Sequence, residues 1–310
     1  MDDSREGEFL AMRIRKIIAT KRILLLVPIA AICVILARAA APATQPSPIQ
    51  YRRILRTNPP LQLHVVTVDL TDPRVALRVA RGADDPDGDG PWQTRLDTVR
   101  NIATRQKLAV AVNGNFFFGK EGINLLGKQV PYFAGNWASV NGYAMSDGVL
   151  WSKDKFGASL VVDAKGGVSI GRFGSIPNEA RQVVSGSDML LIHGRNVAVA
   201  KDLAPRTAIG IDKAGKQLTL IVVDGRREDV SVGMTAAQVG EELVRLGCWD
   251  ALMLDGGGSS TLVMRDPADQ TVRLMNHPSD GHDLPMDLSI ERPVADAFGV
   301  MLRDGPTTRP

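Results

Sequence analysis

Two cysteines in 310 residues rule out a disulfide framework, so the fold has to rest on a packed core. Cys33 lies inside an apolar run, and Cys248 stands alone in an apolar context where a thiol is a packing group. Aromatic residues are scarce, at 5%, so the counts give no sign of an aromatic sugar platform. Charge of one sign is also lacking. The formal balance of +3 is too small to imply a nucleic-acid partner, and many of the Lys and Arg precede residue 60. Long apolar runs are missing too. The one stretch that approaches a membrane span, residues 23–37, is shorter than the ~20 residues a crossing helix needs. No internal repeat is visible.

What remains is globular composition, 44% hydrophobic and 23% charged, enough for one large domain or two small ones. Arg13, Arg15, Lys16, Lys21 and Arg22 precede the apolar run, and Ala39, Ala40 and Ala41 follow it. A basic start, an apolar middle and small residues describe an export signal over residues 1–41. Cleavage near Ala41 and retention as an N-terminal membrane anchor both fit; either leaves the rest of the chain outside the cytoplasm, in the periplasm or beyond. Pro42, Pro46, Pro48, Pro59 and Pro60 make residues 42–60 read as a linker. Residues 61–303 then form the folded domain, and 304–310 a tail.

Alternation over Leu61–Leu70 and Val75–Val79 predicts a hairpin turning at Thr71–Arg74. Asp85, Asp87 and Asp89 imitate the start of a calcium loop, but its twelfth position is Leu96 rather than Glu, so a solvated loop is the better reading. Thr94–Gln106 reads as a helix with Thr94 and Asp97 as its capping pair. Leu108–Val112 reads as a buried strand ending at Asn113-Gly114-Asn115. The Gly-, Asn- and Ser-rich residues 119–148 are long for a loop and read as a functional lid. Short strands are expected at 159–163, 168–170, 189–192, 197–200, 207–211 and 217–223. Thr235–Gly247 is the clearest helix, with a Thr235/Gln238 capping box and Gly247 at its end. Further strands are expected at 251–254, 262–264, 271–274 and 295–302. His277, Asp280, His282, Asp283 and Asp287 have no metal-ligand spacing such as His-Glu-x-x-His, so a polar loop is preferred there.

The richest stretch is Asp255-Gly256-Gly257-Gly258-Ser259-Ser260-Thr261, set between two apolar runs. A carboxylate at a strand end, a glycine rim open to close approach and adjacent hydroxyls suit an anionic ligand. The plainer reading is a tight turn whose serines satisfy the backbone. The stretch is no Walker A loop, which ends in Gly-Lys-Ser/Thr, and no dinucleotide loop, which must open a helix.

Asn113-Gly-Asn-Phe-Phe117, Pro205-Arg-Thr-Ala-Ile-Gly210, Val223-Asp-Gly-Arg226, Leu254-Asp-Gly-Gly-Gly-Ser-Ser-Thr261, Asn276-x-Pro278 and Glu291-Arg-Pro-Val294 occur in one order. With them, residues 60–303 resemble the phosphodiester glycosidase family, which includes a lysosomal uncovering enzyme and bacterial proteins labelled exopolysaccharide-biosynthesis-like. The chain lacks the cysteine-rich extensions of the lysosomal member. The resemblance implies an α+β fold: one domain of mixed, mainly antiparallel β-sheet with a few helices. It implies substrate contacts at Asn113, Arg206, Gly256, Gly257, Gly258, Ser259, Ser260 and Asn276. Asp255 and Asp224 become the catalytic acids and Glu291 a reserve whose plainer role is an ion pair with an arginine. The expected activity is cleavage of a sugar-1-phosphodiester to free sugar and a phosphomonoester, with no cofactor required, although a divalent ion serving a different phosphodiester hydrolysis stays open. A non-catalytic envelope protein binding an anionic polysaccharide is the alternative.

Overall fold

The computed structural model describes residues 46–120, 122–125, 128–130, 132–280 and 290–303. The export segment, the first residues of the expected linker, His282, Asp283, Asp287 and the tail 304–310 lie outside the described residues.

A seven-stranded antiparallel sheet is the platform of the domain. Its order is β1 (Ile49–Thr57), β2 (Pro60–Asp69), β18 (Gln217–Val223), β17 (Arg206–Asp212), β19 (Cys248–Met253), β15 (Met189–Ile192) and β16 (Arg195–Asn196). A five-stranded sheet runs β21 (Val272–Leu274), β20 (Leu262–Arg265), β5 (Val110–Asn113), β22 (Asp296–Leu302), β3 (Val75–Arg81). A second five-stranded sheet runs β11 (Val149–Lys153), β10 (Tyr143–Ser146), β14 (Ala180–Gly186), β12 (Ala158–Asp163), β13 (Val168–Gly171). Two small sheets complete the set: β4 (Thr94–Arg95), β9 (Trp137–Val140) and β6 (Phe117–Gly119), and the pair β7 (Ile123–Leu125) and β8 (Lys128–Val130). Helices α1 (Val99–Arg105) and α2 (Ala236–Arg245) are the two α-helices among the described residues. The fold is therefore mainly β rather than a balanced α+β arrangement, though the sheet is antiparallel and the helices few, as expected.

The central strands of the platform, β2, β18 and β17, are buried on both faces, which their sequences encode as double alternations. In β2, Val66 and Val68 enter the central core with Val110, Val112, Phe298 and Val300 of the facing sheet. Leu61, Leu63 and Val65 point the other way, onto Val239 and Leu243 of α2. The inner parity of β2 continues outward as His64 and Gln62, both buried. One strand face thus changes from core to polar site along its length. On the far side of the second sheet, α1 packs Val99, Ile102 and Ala103 against Ala111, Ala297 and Val263.

Five expectations need correction. Residues 49–57 are not linker but edge strand, in register with β2 from Ile49↔Val68 to Thr57↔Pro60; the flanking prolines stand at its ends. The hairpin across Thr71–Arg74 does not form: β2 pairs with β1 and β18, whereas β3 pairs with β22, so this turn carries the chain between sheets. The first helix starts at Val99, capped by the Thr98 side chain, because Thr94 and Arg95 are drawn into a strand against β9. Residues 119–148 are largely strand where described, and 197–200 are not strand; the sheet edge lies at β16 instead. The Thr235/Gln238 capping box is present, and Gly247 follows the helix at φ +82, a conformation glycine adopts without strain. Asp85 uses its Oδ1 to accept the Asp87 and Gly88 amides at 3.2 and 2.9 Å, as in a self-capped polar loop.

Candidate active site

The ends of β2, β17, β18 and β19 meet the ends of β5, β20 and β22 at one edge of the central core. Asn113 is the tie. It is fully buried, and its Oδ1 accepts from Thr207 Oγ1 at 2.8 Å and from the Thr261 amide at 3.2 Å. Its Nδ2 donates to the Asp255 carbonyl at 2.7 Å. Asn113 was expected to offer its amide to a ligand; instead it spends it joining two sheets to the glycine loop. Asn276 acts alike. Its Nδ2 donates to Ser260 O at 3.0 Å and Asp224 Oδ1 at 3.1 Å, while its Oδ1 accepts the Leu262 amide at 2.8 Å.

Asp255 leaves the end of β19 partly exposed, and its own amide donates to Gly114 O at 3.1 Å. Burial pushes its carboxyl up to about 6, against the opposing pull of the Ser259 hydroxyl, the Gly256 amide and the Arg292 charge. Ser259 Oγ lies close enough to favour the carboxylate yet satisfies no strict hydrogen-bond geometry, so its dipole rather than a well-formed bond does this. Ser260 Oγ and Thr261 Oγ1 are likewise buried without a hydrogen-bond partner among the described residues.

The glycine loop works differently from the expected nest of amides. The amides of Gly256, Gly257, Ser259 and Ser260 donate to Asp255 Oδ1, Pro205 O, Gly256 O and Gly257 O, at 2.8, 2.9, 3.2 and 3.1 Å. The last two close a 3-10 turn over Gly257–Ser259, and all four amides are thus engaged within the protein. What the glycines provide is room. A Cβ on Gly257 would stand 2.9 Å from Arg226 Nη2, and one on Gly258 would overlap Arg292 Nη2 and Asp280 Oδ1. Two guanidinium groups therefore lie over the loop. Arg292 is gripped by Asp280 through Nε–Oδ2 at 2.7 Å and Nη2–Oδ1 at 2.9 Å, and covers the Tyr132 ring at 4.3 Å. Arg226 is exposed, sits at φ +61, and has no hydrogen-bond or ion-pair partner among the described residues.

Arg206 is not part of this group. It shares strand parity with Ala208, which faces α2, and so leaves the sheet on the wrong side. Its Nε donates to Met234 O at 3.1 Å and its Nη2 to Asp202 Oδ2 at 2.8 Å. Glu291 is also committed elsewhere: it accepts the Arg100 amide at 2.8 Å and the Arg100 guanidinium at 2.9 and 3.1 Å, anchoring the start of α1. That is the arginine pairing foreseen as its plainer role, with Arg100 as the partner.

Asp224 is 2% exposed and saturated with donors. Oδ1 accepts from Asn276 Nδ2 at 3.1 Å and the His277 amide at 3.0 Å; Oδ2 accepts from Gln62 Nε2 at 2.8 Å and lies 3.3 Å from His64 Nε2 and 3.4 Å from His277 Nδ1. Tyr51 OH reaches His64 Nδ1 at 2.8 Å, so the chain of contacts runs from β1 to the site. With donors on both oxygens and almost no exposure, Asp224 is placed as an anchor for the His277 segment rather than as a free acid.

The sequence reading missed Asp296. Its parity in β22 is that of Phe298 and Val300, so the carboxyl faces the central core with no exposure at all. Oδ1 accepts the Asn115 amide at 2.8 Å, and Oδ2 is buried without a partner. Burial pushes this carboxyl up to about 7, the Asn115 amide opposes, and the negative charge of Asp255 adds to the rise. Gly114 is required beside it, since a Cβ there would lie 2.5 Å from Asp296 Oδ1. The available signal was an acid at the first position of an apolar strand, the mirror image of Asp255 at the end of one. Arg226 and Arg292 were present in the quoted motifs, but nothing in the spacing distinguished them from Arg206.

This chain belongs to the phosphodiester glycosidase family, whose profile matches residues 106–301. No curated protein sequence matches the chain. Among solved structures, the chain is similar to the zebrafish N-acetylglucosamine-1-phosphodiester alpha-N-acetylglucosaminidase catalytic domain auto-inhibited by its pro-peptide, at 22% identity and TM-score 0.61, over 85% of each chain. It is also similar to a hypothetical protein from Synechocystis, at 16% identity and TM-score 0.54, over 82% of this chain and 62% of the other. A Burkholderia pseudomallei protein described as exported matches at 17% identity and TM-score 0.51, over 78% and 74%. At these identities the likeness carries the fold.

Proposed function

We propose that the protein is an exported hydrolase that cleaves the glycosidic bond of a sugar-1-phosphodiester, releasing the free sugar and a phosphomonoester. The observation that carries this reading is Asp255 on the glycine rim beside Arg226, a guanidinium with no partner among the described residues. Arg226 offers two parallel N–H donors to the phosphate, with Arg292 as a second positive group already steadied by Asp280. The phosphomonoester departing from C1 is a weak base, so it needs little proton donation. The work of the protein is then to keep the phosphate in place and to stabilise or hydrate the oxocarbenium-like carbon. Asp255, ionised above a pKa of about 6, is the carboxylate for that task. Asp224 and Asn276 hold the loop in position, and no cofactor enters the step.

Export is part of the same proposal. It draws on the basic-apolar-small pattern of residues 1–41 and on the exported description of the Burkholderia protein. Among the described residues no helix is long and apolar enough to cross a membrane, so an uncleaved N-terminal segment would be the attachment.

The test is a panel of sugar-1-phosphodiesters incubated with the purified protein, with free sugar and phosphomonoester measured together. Equal yields of both, lost in Asp255→Asn, are expected. Saturable binding without turnover across the panel would replace this reading with that of an envelope protein holding an anionic polysaccharide. Turnover abolished by a chelator and restored by a divalent ion would contradict the cofactor-free step.

A further inference from the structure

We propose that Asp296 is a positioning residue for Asp255: from inside the core, across the Gly114 backbone, it holds the one proton the two carboxyls share and so sets the alkaline limit of the active state. The proposal rests on the reading of Asp255 as the reacting carboxylate.

The two acids are tied to the same peptide. The Asp255 amide donates to Gly114 O at 3.1 Å, and the Gly114 amide donates to Asp296 O at 3.0 Å. Asp296 has one oxygen served by the Asn115 amide and one oxygen served by nothing, in a place with no solvent. An ionised carboxyl is poorly accommodated there; a neutral one, with its proton on Oδ2, is well matched to a single donor on Oδ1. Asp255 is the opposite case. It keeps an edge toward solvent and has an amide donor and the Arg292 charge beside it, all of which favour the anion. The singly protonated pair therefore places its proton on Asp296 and its charge on Asp255.

The surrounding charges do not alter this assignment. Arg81 lies opposite Asp296 in β3, but its guanidinium turns to Asp85 at 3.6 Å and to the Trp151 ring at 4.9 Å. Arg292 bears on Asp255 and is held by Asp280. Asp255 is the charge that acts on Asp296. Loss of the shared proton to solvent leaves two anions whose charges oppose one another, and each then disfavours the arrangement of the other.

The experiment compares wild type with Asp296→Asn, which keeps an acceptor for the Asn115 amide and nearly the same volume but cannot titrate. Wild-type kcat/KM is expected to rise as Asp255 ionises and to fall about tenfold per pH unit once Asp296 does. In Asp296→Asn the rise is kept and the alkaline fall is gone. An unchanged alkaline fall, or one uniform loss at every pH, would overturn the proposal, the latter marking a purely structural side chain. Carboxyl NMR titration of wild type and Asp255→Asn reads the pair without turnover. Asp296 is expected to titrate at lower pH once the facing charge is removed. An unmoved titration overturns the pairing, whereas coupling in a protein that cleaves no phosphodiester supports the pairing and overturns only the reaction assigned to Asp255.

Discussion

At the scale of single residues, the structure separates acids that can react from acids that brace. Asp255 is a partly exposed residue; Asp224 accepts donors on both oxygens; Glu291 is locked to Arg100. Replacing Asp255 by Asn should therefore lower kcat/KM by roughly 10²–10⁴-fold, the usual weight of a group that takes part in proton or charge transfer, with circular dichroism unchanged. Arg226→Ala should raise KM for a phosphodiester by roughly 10- to 100-fold, since a hydrogen bond to a charged group contributes about 1.5–3 kcal/mol. Turnover of a neutral aryl glycoside should not change. Arg206→Ala should leave both within about threefold, because it loses an exposed partner, Asp202. A large KM effect in Arg206→Ala and none in Arg226→Ala would reverse the assignment. Asp255 was legible because a strand end, a glycine run and hydroxyls were contiguous. Arg206 misled because the face a side chain takes depends on strand parity within a sheet whose neighbours were not known. Asp296 was hidden because its neighbours in the chain are apolar.

Among the elements, the apolar periodicity told most of the truth. The double-faced strands of the platform, the capped α2 and the short strand after Asp255 all read correctly from alternation, capping residues and glycine. Pairing did not. Nothing local states that β2 joins β18 while β3 joins β22, since partners distant in sequence are chosen by the core as a whole. Edge strand β1 was read as linker because prolines flank it and most of its exposed positions are polar. The tie at Asn113 gives this scale its own prediction. Asn113→Ala strips partners from buried Thr207 Oγ1 and the Thr261 amide and frees the Asp255 carbonyl. Urea unfolding should show a loss of roughly 2–4 kcal/mol, in line with one or two buried polar groups left unpaired. Gly258→Ala should instead unfold near the wild-type midpoint but lose activity, since the added methyl displaces the Arg292–Asp280 pair. A normal kcat/KM in Gly258→Ala would show that this guanidinium has no part in the reaction.

For the molecule as a whole, the two raised carboxyls make a statement about stability. The native state holds protons on Asp255 and Asp296 up to about pH 6 and 7, whereas an unfolded chain releases them near 3.8. Between those limits the native state binds more protons, so stability falls as pH rises. Asp296, wholly buried, contributes at most roughly 4 kcal/mol to the total fall. The thermal midpoint should therefore decline from pH 5 to pH 8, and Asp296→Asn should flatten the decline and melt higher than wild type at pH 8. A midpoint that climbs over that interval in wild type would contradict the burial of both acids.

Strand β1 bears on how the protein is handled at the bench. It lies on the outer margin of the platform, its exposed positions include Arg52, Arg53 and Arg56, and Tyr51 reaches inward to His64. A recombinant version trimmed to begin at Leu61, where the long apolar alternation starts, would strip that cover from β2. A row of main-chain donors and acceptors would then be open to a neighbouring molecule, with no charges to discourage it. Such a fragment should self-associate, whereas one beginning at Pro46 should stay dispersed.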